Sequence, residues 1–194
     1  MRALGALLLA LAPAIAFADS APAQPQPDPE LRKALLEAVS ASDSFEDRFE
    51  AEVWLSDMSD RMNRYVPKAM PDVKERFELL RLVHSEARRA QVPPELVLSV
   101  IEIESRFDRF AVSNSGAQGY MQVMPFWLAE LNRPYDNLFK GPINLRMGCT
   151  ILKFYITRAK GDLVRALQLY NGGSGHPKYS YKVLDALSKR WFRE

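Results

Sequence analysis

The sequence predicts a mostly α-helical protein, and three observations carry that prediction. Apolar residues recur at steps of three to five over long stretches, the signature of a helix with one buried side. One segment, "ELVLSVIEIESRF" at 95–107, is apolar almost all round and is therefore expected at the centre of the fold. Alternating strand-like runs and internal repeats are both missing.

Taken in order, residues 1–18, "MRALGALLLALAPAIAFA", combine an early Arg, an apolar run and a small-x-small end, Ala16-Phe17-Ala18, as a cleavable export signal does. The run is short for a span of about 20 apolar residues and is broken by Pro13, so no stable membrane anchor is expected after cleavage. The lone Cys149 lies far from the cut, which leaves neither a lipidated cysteine there nor an internal disulfide. Residues 19–30 include "SAPAQPQPDPE", proline-rich with little to bury, and read as an extended linker.

Residues 31–74 form a helical N-terminal extension, with a stripe of Phe45, Phe49, Trp54, Met58, Met62 and Tyr65 that packing on the rest of the chain would cover. Residues 75–194 form the main domain. Its first helix buries Phe77, Leu80, Leu82 and Val83, and the second starts at Pro94, whose missing N–H is not needed in a first turn. Residues 111–125, "AVSNSGAQGYMQVMP", turn to Ser, Asn and Gly and form a loop closed by Pro125. Helical patterns resume in "INLRMGCTILKFYITRAK", "DLVRALQLYN" and "SYKVLDALSKRWF", with the glycine-rich "GGSGHPK" between the last two.

Two glutamates stand in the central helix, Glu102 and Glu104. Successive helical residues turn by about 100°, so the two point to nearly opposite sides and cannot cooperate as a pair. One should face solvent or a neighbouring Arg, while the other ends the buried helix beside Phe107 and the polar loop; helix geometry alone leaves open which is which.

The string from Glu104 to Pro125, "ESRFDRFAVSNSGAQGYMQVMP", resembles the lytic transglycosylases of the soluble-lytic-transglycosylase (SLT) type, whose pattern runs E-S-x-F and then A-x-S-x-x-G-A-x-G-L-M-Q-x-M-P. Glu104, Ser105, Phe107, Ala111, Ser113, Gly116, Ala117, Gly119, Met121, Gln122, Met124 and Pro125 fill its positions. Two later stretches agree: "INLRMGCTILKFY" with its central glycine, and "ALQLYNGG". The resemblance covers about residues 75–190 and implies a lysozyme-like α-helical catalytic domain. Tyr120 in place of leucine, Gly172 in place of alanine and Phe126-Trp127 in place of small polar residues depart from the pattern without removing a reactive group.

The resemblance implies a peptidoglycan-cleaving enzyme in which Glu104 is the single catalytic acid and then base. Ser105, Ser113, Gln122, Met124, Tyr170 and Asn171 would line the sugar site. An ordinary Glu, with a pKa of about 4.3, is protonated only about once in 500 molecules at pH 7, so such an acid must be weakened by an apolar setting. Asn171 before Gly172-Gly173 is also a common way to end a helix, and the glycines at 116 and 119 would let backbone approach a helix or sugar closely.

Charge is uneven: residues 19–74 hold 7 Lys+Arg against 12 Asp+Glu, and residues 75–194 hold 18 against 12. The basic part suits a polyanion. Export disfavours nucleic acid and favours peptidoglycan strands, whose peptides carry carboxylates, and the expected location is the periplasm. The acidic N-terminal segment is the alternative docking element for a protein partner. No cofactor or metal is expected, since His84, His176 and Cys149 show no ligand spacing and "GGSG" lacks the Lys-Ser or Lys-Thr of a phosphate loop. The other functional readings are a lysozyme-like hydrolase, in which water replaces a sugar hydroxyl, and a non-catalytic wall-binding protein that retains the groove.

Overall fold

The structure is a computed structural model that describes residues 28–40, 48–173 and 177–192. The segment 1–18, most of the proline-rich stretch, Phe45 and His176 lie outside the described residues, as does the side chain of Phe49. Eight α-helices follow one another among the described residues: α1 Pro29–Ser40, α2 Arg48–Tyr65, α3 Val73–Ala90, α4 Pro94–Ser105, α5 Phe126–Glu130, α6 Gly141–Arg158, α7 Leu163–Tyr170 and α8 Lys178–Ala186. A single π-helical turn, Leu187–Trp191, ends the series.

Local chemistry sets the helix ends. The Asp72 side chain accepts from Glu75 N at 2.9 Å to cap α3, and Asp162 does the same for α7 from Arg165 N at 3.0 Å. α4 starts with Pro94 in its first turn, as the sequence predicts, and ends where Arg106 turns left-handed with a φ of 53°. α1 begins at Pro29, two residues inside the stretch read as a linker. The physical reason is Asp28, whose Oδ1 accepts from Glu30 N and Leu31 N and so starts the helix before the apolar pattern does.

α4 is the central helix. Val97, Leu98, Val100 and Ile101 are fully buried, with α3 against one side and α8 and the π-helical turn against another. α6 is the second long core helix and packs on α1, α3 and α7. Between α3 and α6, the buried carboxylate of Glu86 is held by Arg89 Nε at 2.6 Å and by Arg146 Nη2 at 2.7 Å and Nε at 2.9 Å. A buried charge is tolerated when it is paired on both oxygens in this way.

The two N-terminal helices are part of this packing. Leu31 and Leu35 of α1 are buried, and Arg32 Nε donates to Glu130 O at 2.8 Å. On α2, Trp54, Met58 and Met62 are buried, and Trp54 donates from Nε1 to Glu95 at 2.8 Å with its ring 5.1 Å from that of His84. Tyr65 departs from the predicted stripe: it is 41% exposed, because α2 ends there and the chain turns away through Pro67.

Candidate active site

α4 brings its two glutamates to different environments. Glu102 accepts from Arg190 Nε at 3.0 Å and from Trp191 Nε1 at 2.8 Å, both on the π-helical turn. Glu104 accepts from the hydroxyl of Tyr179, on α8, at 2.6 Å. Glu102 is therefore the glutamate paired with an arginine, and Glu104 is the one in an apolar setting. Burial pushes the Glu104 carboxyl up to about 7, against the Tyr179 hydrogen bond, which favours the carboxylate. At neutral pH such a group is present about half as an acid and half as a base.

Two tyrosines frame that carboxyl. Tyr170, in the last turn of α7, donates to Met121 O at 2.8 Å. The hydroxyls of Tyr170 and Tyr179 are both pushed well above the ordinary tyrosine value, first by burial and then by the nearby Glu104 carboxylate. Both tyrosines therefore stay neutral donors at any ordinary pH. Tyr179 is absent from the residues that sequence reasoning selects. Its only local signal is its place in the first turn of the helix after the glycine-rich connection, and it meets Glu104 across 75 residues of chain.

The loop between α4 and α5 is built around Asn144 of α6. Asn144 is fully buried; its Oδ1 accepts from Met121 N at 2.8 Å, and its Nδ2 donates to Gln118 O at 2.8 Å and Leu138 O at 2.9 Å. Isolated antiparallel bridges join Val112 to Gln118 and Gln118 to Val123. Gly119 lies so close to Asn144 and the Leu138 carbonyl that a Cβ would collide with both, and its φ is +76°. Close approach to a helix thus accounts for Gly119. Gly116 differs, with open space around it and a φ of +87°, so its requirement is the turn itself. On α6, Gly148 leaves room for Met121, whose side chain fills the place of a Cβ.

The other residues singled out in the sequence divide between loop architecture and open surface. Gln122, left-handed with a φ of 50°, donates from Nε2 to Ala111 O at 3.1 Å and Gly119 O at 3.0 Å. Ser113 Oγ accepts from Ala117 N at 3.0 Å and lies 3.0 Å from Ser115 Oγ, which closes the turn 113–117. Ser105 is buried and donates back to Ile101 O at 3.1 Å, within its own helix. Met124 is half-buried against the core. Asn171 is exposed and caps α7 through its N–H. Tyr179 thus binds Glu104 and Tyr170 binds the Met121 backbone, with both tyrosines close enough to feel the Glu104 charge, while Ser113 and Asn171 are tied to the ends of their own segments.

Asp108 is exposed and accepts from Phe110 N at 2.8 Å in a local turn. Cys149 is buried, and burial pushes its thiol far up, which makes it unreactive. Among the described residues no three His, Cys, Asp or Glu side chains come together in a way that could hold a metal ion.

Comparison with known proteins places this geometry. The family profile described as the transglycosylase SLT domain matches residues 81–189. Two membrane-bound lytic murein transglycosylase C proteins of Actinobacillus pleuropneumoniae, from serotypes 5b and 3, are 44% identical over 130 residues, which cover 58% of this chain and 36% of each relative. The chain thus spans about a third of the length of the curated relatives it matches. A solved structure of an inactive mutant of the lytic transglycosylase Slt from Pseudomonas aeruginosa superposes with a TM-score of 0.51 at 20% identity, over 74% of this chain and 30% of that one, a likeness of fold. The profile match takes in more than half of the chain, from α3 through α8, and so includes both Glu104 and the tyrosine that binds it: the chain belongs to the transglycosylase SLT domain family.

Proposed function

We propose that the protein is a peptidoglycan lytic transglycosylase that cuts the β-1,4 bond between N-acetylmuramic acid and N-acetylglucosamine, with Glu104 as acid and then base. The observation that carries this reading is the Glu104 carboxyl, half-buried, raised to about 7, and without a cation partner among the described residues. The family match and the names of the curated relatives support the substrate class.

Protonated Glu104 gives its proton to the glycosidic oxygen as the C1–O bond of the muramic acid breaks. The resulting Glu104 carboxylate takes the proton of the C6 hydroxyl, whose oxygen bonds to C1 and closes a 1,6-anhydro ring. No water is consumed, and Glu104 finishes protonated for the next cycle. The N-acetyl group beside C1 can supply the internal nucleophile that other glycosidases take from a second carboxylate. Glu102 is on the far side of α4 and engaged by Arg190 and Trp191, so it is not that second group.

Tyr179 holds the Glu104 carboxyl in position, and Tyr170 holds the Met121 carbonyl and with it the loop across from Glu104. Gln122 spends its donors on the loop, which leaves its amide oxygen to accept from the sugar. Ser105, Ser113, Met124, Tyr170 and Asn171 complete the proposed glycan-binding set. The export-like segment and the name of the relatives support a periplasmic location. Among the described residues no helix is long and apolar enough to cross a membrane.

The test is a digest of purified wall sacculi with the mature protein and with Glu104→Gln, the soluble fragments being identified by mass spectrometry. Anhydro-ended fragments that disappear with the variant are the expected result. Fragments with reducing ends would make the protein a hydrolase, and equal release by both proteins would remove Glu104 from the chemistry.

A further inference from the structure

The side of α4 away from Glu104 carries a cleft of about 610 Å³, within the range of about 300–1,000 Å³ that ligand sites occupy. Glu102, Ile103 and Arg106 line it, and Glu104 does not. The link between α2 and α3 at residues 65–69 forms its outer wall. The buried Arg76 ties that wall down, donating to Met70 O at 3.2 and 3.3 Å, to Pro71 O at 3.4 Å and to Ser59 O at 3.3 Å. A wall already in place spares a ligand the cost of ordering it.

Charge in the cleft is unbalanced. Val66, Ala69, Ile103 and Phe107 give it an apolar floor, and Lys68, Arg106 and Lys182 reach it from three different elements. Among the described residues none of the three cations has a carboxylate partner. The one acid in the lining, Glu102, already has Arg190 and Trp191. This setting suits an extended segment that carries several carboxylates around one apolar side chain.

The chain holds one such stretch outside the described residues. Residues 41–47, "ASDSFED", present Asp43, Glu46 and Asp47 without a cation, with Phe45 among them. The other stretches beyond the export-like segment do not compete: 19–27 carry Asp19 alone and no aromatic ring, 174–176 are Ser-Gly-His, and 193–194 are Arg-Glu.

Phe45 cannot fill the cleft of its own chain. Arg48 and Tyr65 stand at the two ends of α2, about 26 Å apart along its axis at 1.5 Å per residue. Three extended residues lead from Arg48 back to Phe45 and span at most about 11 Å. The gap that remains, about 15 Å, exceeds the width of a cleft of this volume.

We propose that the cleft receives residues 41–47 of a second copy of this chain, with Phe45 against the apolar floor and the carboxylates among Lys68, Arg106 and Lys182. Such a contact joins the acidic N-terminal part of one chain to the basic part of another, as the uneven division of charge favours. It does not rest on the reading of the reaction above, and it does not cover Glu104.

The experiment is sedimentation velocity of the mature protein over a concentration series at about 0.05 M and about 0.5 M salt. Two charge-reversed variants accompany it, Lys68→Glu with Lys182→Glu in the cleft and Asp43→Lys with Glu46→Lys in the segment. The parent should associate as its concentration rises, and less so at the higher salt. An exposed ion pair is worth about a two- to fivefold change in binding, so each variant alone should associate on the order of tenfold more weakly. The two variants mixed should recover association, because the reversed segment of one meets the reversed cleft of the other. Phe45→Ser should weaken association with every charge in place. Lys68 and Lys182 are exposed, so their reversal should leave the melting temperature unchanged. A synthetic peptide of residues 40–48 should compete with association and shift the backbone amides of Val66, Ile103 and Lys182 in NMR spectra.

A parent that sediments as a monomer up to about 1 mM, association untouched by either reversal, or a mixture that associates no better than its components would overturn the proposal. So would a peptide bound by a chain that itself stays monomeric, which would assign the cleft to an acidic segment of another protein.

Discussion

At the scale of single residues, the environment of Glu104 ties stability to pH with a definite sign. Its carboxyl has a pKa of about 7 in the fold against 4.5 when unperturbed, so the folded chain holds the proton more tightly than the unfolded one. That opposes folding increasingly as pH rises from about 4.5 to about 7. Gln keeps an acceptor for Tyr179 without the charge. Glu104→Gln should therefore melt close to the parent at pH 4 and several degrees above it at pH 8, a gain on the order of 2 kcal/mol. Thermal scans at the two pH values check this, and a gain that is the same at both would contradict it.

Tyr179 is the second residue with a directional prediction. Its hydrogen bond lowers the Glu104 pKa, so Tyr179→Phe should move the alkaline limb of kcat/KM on glycan strands to higher pH while lowering kcat by about 10- to 100-fold through lost positioning. A variant that lost activity without moving the limb would mean that Tyr179 supports the fold and not the acid. The motif around Glu104 makes that residue legible in the sequence, but the difference between Glu102 and Glu104 is not. Both lie on one helix, and the side chains that distinguish them, Tyr179, Arg190 and Trp191, lie 75 to 89 residues further along the chain.

At the scale of elements, α6 acts as the template on which the 111–125 loop is shaped. Asn144 satisfies the buried Met121 N and Leu138 O and gives a second donor to Gln118 O, which also accepts from Val123 N; leaving the first two unpaired costs about 1–3 kcal/mol each, partly relieved by relaxation. Asn144→Ala should then destabilise by on the order of 3 kcal/mol in denaturant titration. Because Met121 N is one of the groups released, and Met121 O holds Tyr170, activity should fall more than the stability loss alone explains. The long helices were legible from apolar spacing, as was the proline start of α4, whereas the five-residue α5, Phe126–Glu130, is too short to show a period and was not. The start of α1 and the exposure of Tyr65 were not, because an Asx cap and a chain reversal interrupt the periodic signal before it ends.

At the scale of the whole molecule, the N-terminal helices contribute to the core on which α4 rests. Leu31, Leu35, Trp54, Met58 and Met62 are each buried, and each is worth about 1.5–3 kcal/mol of burial before the cost of ordering the segment. A chain shortened to begin at residue 70 should lose Trp54 from Glu95 and His84, unfold at a melting temperature at least about 10 °C lower, and expose apolar surface to a dye that binds it. An unchanged melting temperature would mark residues 28–69 as an independent docking element.

The sequence by itself determined the helical class, the central apolar helix with its carboxyl-bearing end, and the motif that identifies the family, because these depend on local periodicity and on reactive groups at fixed spacing. Only the tertiary structure decided which glutamate is raised in pKa, that Tyr179 holds it, and that Arg190 and Trp191 engage the other. A carboxyl's proton affinity and a surface's charge balance are set by what other segments bring within a few ångströms, and no local pattern in the chain encodes those contacts.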